Sequence, residues 1–104
     1  MSGAVVVTTT VDSAEVAESL AKGIVEARLG ACVQIVPIRS VYRWDGEVRV
    51  DAEWQCVVKT SAIRADELVE HIKTNHSYDV PEVVVTPVVG GNDDYLAWVS
   101  EETS

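Results

Sequence analysis

The chain has 104 residues, 47% of them apolar, with 17 acidic against 8 basic side chains and a formal net charge of -9 at pH 7. That length holds one domain, residues 1–104, with a core of its own, and a valine-rich chain without phenylalanine favours strands packed under helices. The negative charge repels phosphate backbones and anionic headgroups, which argues against nucleic-acid and membrane-surface partners.

No stretch reaches the length of a bilayer span, and Met1-Ser2-Gly3 leads into Val5-Val6-Val7 without a basic leader or a cleavage signal. A cytoplasmic protein is therefore expected. Cys32 and Cys56 lack the C-x-x-C spacing of zinc and redox motifs and read as ordinary buried thiols, in keeping with a reducing compartment.

In chain order, Val5 to Val11 is a strand with no polar face, its Thr8-Thr9-Thr10 segment adding β-branched residues. Asp12 followed by Glu15 resembles a capping box for a helix whose apolar stripe is Val16, Leu20, Ile24 and Ala27, widened by Ala17 and Ala21. Gly30 is the expected left-handed cap at its end.

From Ala31 the period changes to two and continues, past Pro37, to a turn at Asp45-Gly46, which predicts a long hairpin. A three-residue loop of Trp44, Asp45 and Gly46 pairs Arg43 with Glu47 and Arg39 with Asp51. It gathers Val36, Ile38, Tyr42, Val48, Val50, Ala52, Trp54, Cys56 and Val58 on the other face. A two-residue loop mixes charged and apolar residues on both faces, so the three-residue register is preferred. It sets Cys32 opposite Val58 and Cys56 opposite Gln34, a diagonal at or beyond disulfide reach.

Ser61 is positioned to cap a second helix with Ala65, Leu68, Val69 and Ile72 inward and Asp66, Glu67, Glu70 and Lys73 in water, ending near Asn75. Glu82 to Val88 is a strand in which Pro87 marks an end or an edge. After Gly90-Gly91, Asn92 or Asp93 caps a short helix carrying Tyr95, Leu96, Trp98 and Val99.

This order is the split βαβ pattern of a ferredoxin-like α+β fold: an antiparallel four-stranded sheet, helices on one face, and a short C-terminal helix. The first and last strands are apolar on both faces while two helices cover one, so self-association is expected to cover the other.

The densest cluster of reactive side chains is His76-Ser77-Tyr78-Asp79-Val80-Pro81-Glu82, where Pro81 makes the passage from helix to strand rigid. His76 also suits a helix C-terminus, where its charge meets the dipole. Glu53, Lys59, Tyr78 and Glu82 are the candidate lining of a ligand cleft between subunits, although structural ion pairing explains them equally well. No hydrolase motif or phosphate loop is present. His71 reads as a solvated helix residue, and Trp44, Trp54 and Trp98 as core and interface.

Leu29-Gly30-Ala31-Cys32, Tyr42-Arg43-Trp44-Asp45-Gly46, Lys59-Thr60, the His76 to Glu82 segment and Tyr95-Leu96-Ala97-Trp98 together resemble the CutA family of small trimeric proteins linked to divalent-cation tolerance. The resemblance implies a ferredoxin-like subunit, a homotrimer built largely from the hairpins and C-terminal region, no enzymatic activity, and binding of copper or another divalent cation. Of the family's copper positions, the cysteine is Thr9 here and the first histidine Asn75. Only the second is matched, by His76, the candidate metal ligand, and Ser77 stands where the family usually has proline. A small-molecule or protein partner held at the subunit clefts is the other reading the resemblance leaves open.

Overall fold

The computed structural model describes residues 3–104; Met1 and Ser2, part of the stretch read as leader-free, lie outside the described residues. Strand β1 (Ala4–Val11) is followed by helix α1 (Ala14–Glu26), strands β2 (Cys32–Trp44) and β3 (Glu47–Ser61), and a 3-10 turn, Ala62–Arg64. Helix α2 (Ala65–Asn75), strand β4 (Val83–Pro87) and helix α3 (Asp93–Glu102) complete the chain. The sheet order is β2-β3-β1-β4 with every neighbouring pair antiparallel, as the split βαβ pattern requires. β1 is central because its Val5, Val7 and Val11 are the apolar floor on which Leu20 and Ile24 of α1 and Leu68 and Ile72 of α2 rest. Pro87 ends β4, an edge strand, where its missing N–H costs no ladder bond.

The helix ends differ from expectation in detail. Ser13, not Asp12, caps α1: its Oγ accepts the Val16 N–H at 3.1 Å, while Asp12 is exposed. The left-handed residue after α1 is Arg28, φ 60, rather than Gly30. Gly30 is needed for space: a Cβ there would stand 2.5 Å from Val58 Cγ1 and 2.8 Å from Ile24 Cγ2. Val16 and Ala27, expected in the buried stripe, are exposed. Ser61 does not cap a helix through its side chain; its Oγ lies 2.5 Å from Thr103 Oγ1, tying β3 to the end of α3. Asn92 does cap α3, accepting the Asp94 N–H at 3.0 Å.

The hairpin register is the main correction. Asp45 (φ 51) and Gly46 (φ 75) form a two-residue turn of the primed kind, which matches the twist of paired strands. Trp44 therefore faces Glu47, Arg43 faces Val48 and Arg39 faces Ala52, and the pairs Arg43–Glu47 and Arg39–Asp51 do not form. Cys32 sits opposite Lys59 and Cys56 opposite Ile35, which puts the two thiols on opposite faces, both free. Cys56 is buried beneath the helices, and that burial pushes its thiol pKa up. Cys32 is only half-buried.

β1 pairs with β3 only from Trp54 to Ser61, so the distal half of the hairpin projects beyond the four-stranded sheet. The molecule measures 44 × 25 × 22 Å as a result. On one face of the projection Val41, Val48 and Val50 are 68%, 64% and 55% exposed; on the other lie exposed Tyr42 and Trp44. The face of the sheet turned away from α1 and α2 is not wholly bare, because α3 packs on β3 and β1 at the Ser61 end. Two arginines hold α3 there. Arg28 donates to the Glu101 and Ser104 carbonyls at 2.9 and 3.4 Å, and Arg64 Nε donates to the Thr103 carbonyl at 2.8 Å.

Candidate functional site

Where α2 ends, His76 turns extended (φ -95, ψ 142), and its ring organises the loop that follows. Nδ1 accepts the Tyr78 N–H at 3.1 Å, which leaves the ring proton on Nε2, 2.8 Å from the Thr10 carbonyl it donates to. The loop is thus bonded both to itself and to β1. The Tyr78 ring lies 4.7 Å from the imidazole, centroid to centroid, tilted by 55°.

Tyr78 reaches across to the hairpin and donates its hydroxyl to Glu53 Oε2 at 2.9 Å. Burial first, then the hydrogen bond to Glu53 and that carboxylate's charge, push the phenol well above its usual range. Between hairpin and loop lies a cleft of about 680 Å³. Tyr42, Trp44, Arg49 and Glu53 line its hairpin side, and Tyr78, Asp79, Val80 and Glu82 its loop side. The Tyr42 hydroxyl is engaged by Asp51, the main reason its pKa is raised.

Of the four cleft candidates read from sequence, Glu53, Tyr78 and Glu82 come together here. Lys59 does not line the cleft; it faces Cys32 across the ladder and donates to Gln34 Oε1. Tyr42, Trp44 and Arg49 were missed as lining. The signal was present in the Asp45-Gly46 dipeptide, since a two-residue loop puts Tyr42, Arg49, Asp51 and Glu53 on one face.

The residues at the family's copper positions do not converge on a soft-metal site within one chain. Thr9 is fully buried facing Cys56, with a hydroxyl that has no hydrogen-bond partner among the described residues. Asn75 donates its amide to the His71 carbonyl at 2.8 Å. Both nitrogens of His76 are engaged, and a hydroxyl and an amide cannot replace thiolate and imidazole for copper. Among the described residues no group of three His, Cys, Asp or Glu side chains stands close enough to hold a metal ion. Among them, too, no helix is long and apolar enough to cross a membrane.

The fold has counterparts in known proteins. The chain is 50% identical over 99 residues to the divalent-cation tolerance protein CutA of Thermus thermophilus, covering 94% of this chain and 96% of that protein. It is 46% identical over 100 residues to the chloroplastic protein CutA of Arabidopsis thaliana, covering 95% of this chain but 55% of the plant protein, so it spans about half of that relative. A solved structure of the divalent cation tolerance protein from Thermus thermophilus superposes with a TM-score of 0.93 at 48% identity, covering 97% of this chain and 99% of that one. The family model described as CutA1 divalent ion tolerance protein matches residues 5–102. On these grounds the chain belongs to the CutA1 divalent ion tolerance family.

Proposed function

We propose that this chain is the subunit of a non-enzymatic homotrimer acting in divalent-cation tolerance, joined through its projecting hairpins. The observation that carries the assembly is the exposed apolar side chains on both faces of the hairpin beyond the sheet: Val41, Val48 and Val50 on one, Tyr42 and Trp44 on the other. A two-fold dimer uses one self-complementary patch, whereas two different apolar faces on one element call for two different neighbours. Closed head-to-tail contacts then make a ring, and three is the smallest ring.

A non-catalytic role is supported by how the polar groups are spent. The imidazole of His76 is engaged at both nitrogens and the phenol of Tyr78 is bonded to Glu53, so neither stands beside a nucleophile it could activate. The cation link rests on the names carried by the relatives. Within one subunit the donor set argues against tight copper, and binding at the acidic surface would be loose and salt-sensitive. A cytoplasmic setting suits the two free thiols.

A second reading, a trimer that binds a small molecule at the subunit seams, is favoured by the cleft beside Glu53, Tyr78 and Glu82. Native mass spectrometry after purification without added metal tests the assembly and its cargo together. Three subunits are expected, with no stoichiometric copper lost on His76→Ala. Submicromolar copper binding removed by His76→Ala would restore the copper assignment.

A further inference from the structure

We propose that Arg39 and Arg43 set the direction in which copies of this chain join: the arginine-bearing face of one projecting hairpin seats on the carboxylate-bearing face of the next. The ladder sorts the charges of the projection, because residues paired across it share a face. Arg39 and Arg43, opposite Ala52 and Val48, stand with Val41 and Val50 on the face continuous with buried Cys56 and Val58. Among the described residues 38–53, no carboxylate lies on that face. Glu47, Asp51 and Glu53 stand on the opposite face, with Arg49 as the cation among them. Asp51 and Glu53 keep their charge while accepting the Tyr42 and Tyr78 hydroxyls.

Arg39 and Arg43 are exposed, and neither has a carboxylate within 4.0 Å among the described residues. Arg43 donates only to the Gly46 carbonyl, at 3.3 Å. One face therefore carries two positive charges, and the other, with three carboxylates and one guanidinium, two negative ones. A contact between like faces sets arginine against arginine or carboxylate against carboxylate, and both repel. The unlike contact sets guanidinium forks against carboxylates and lays Val41, Val48 and Val50 over the apolar surface of Tyr42 and Trp44. The occupant of each face is thus a second copy of this chain, chosen by charge complementarity. The inference rests on the homotrimer proposed above and adds the residues that orient its contacts.

Charge reversal tests this, because a directional contact can be rescued within one chain. Arg39→Glu with Arg43→Glu makes both faces acidic; Glu47→Lys with Asp51→Lys makes both faces basic and leaves Glu53 with its tyrosine. The fourfold variant restores unlike faces with the signs exchanged. Isotope-labelled and unlabelled samples of each protein are mixed, and native mass spectrometry follows the appearance of mixed-mass trimers. Each pair of reversals is expected to quicken subunit exchange by about tenfold or more, the effect of replacing ion pairs at a seam by repulsion. The fourfold variant is expected to return to within about threefold of the parent.

A pair of reversals that exchanges at the parent's rate overturns the proposal, as does a fourfold variant no slower than the pairs, since a contact between like faces is not rescued. Amide protection in β1, outside the projection, reports that each variant is folded. If a reversal fails that control, Arg39→Gln with Arg43→Gln removes the charges without reversing them, and unchanged exchange there is equally fatal. A parent that is not a trimer contradicts the assembly itself before any exchange is measured, whereas a trimeric parent with silent reversals contradicts only the role of the two arginines.

Discussion

Tyr78 and Gly30 show two ways in which a single residue holds this fold. Tyr78→Phe removes the donor to Glu53 and leaves a half-buried carboxylate short of a partner, which should cost about 1 to 2 kcal/mol in chemical denaturation. The same phenol carries a pH signature. Its pKa is raised in the folded chain, so its stabilising contribution is whole below the unfolded phenol's range, about 10, and is lost as the pH climbs through the higher folded value. Stability should fall above about pH 10, and Tyr78→Phe should flatten that fall. An identical alkaline slope in the variant would contradict the assignment. Gly30→Ala should cost about 1 to 3 kcal/mol because both atoms it would strike belong to packed core side chains, Val58 and Ile24. The need for glycine at position 30 was legible in sequence, but the reason was not. A left-handed cap and a close approach look the same in one dimension, and only the register of β3 puts Val58 beneath it.

At the scale of elements, helices were legible from their period and the outer strands from their unbroken β-branched runs. Leu68 and Ile72 on α2 lie where their spacing put them, whereas which residues of β1 meet the helices, Val5, Val7 and Val11, was not fixed by a run with no polar face. The hairpin register was not legible by the same rule. The rule assumes that one face of a strand pair is buried within its own chain, and residues 38–53 project past β1, where neither face is. There the turn decides, and Asp45-Gly46 favours two residues with positive φ whatever charges this brings together. The cleft was half legible for that reason: Glu53, Tyr78 and Glu82 stood out as polar residues, whereas Tyr42, Trp44 and Arg49 needed the register. The seating of α3 depends on long-range contacts that no local pattern announces. Arg64→Ala removes the charged donor to the Thr103 carbonyl and the ion pair to Glu67, and should cost about 1 to 3 kcal/mol. Amide hydrogen exchange should quicken throughout α3 and stay unchanged in α1. Uniform quickening would mean that α3 is not an independently released unit.

At the scale of the whole molecule, a net charge of -9 keeps copies apart at long range, while the projecting hairpin needs cover at short range. The two are compatible if the hairpins meet through valine-rich faces and the acidic side chains stay at the rim, as the anatomy of stable interfaces requires. Assembly should then persist in high salt and yield to a buried charge. Val41→Asp combined with Val50→Asp places two carboxylates, directly opposite in the ladder, on one of those faces. Sedimentation equilibrium of the parent chain and this double variant, at micromolar concentration, is the most direct test. The proposed assembly predicts a parent of three times the 11.3 kDa chain mass and a folded variant of one chain mass. A parent that sediments as a single 11.3 kDa chain, or a variant that stays trimeric, would contradict it.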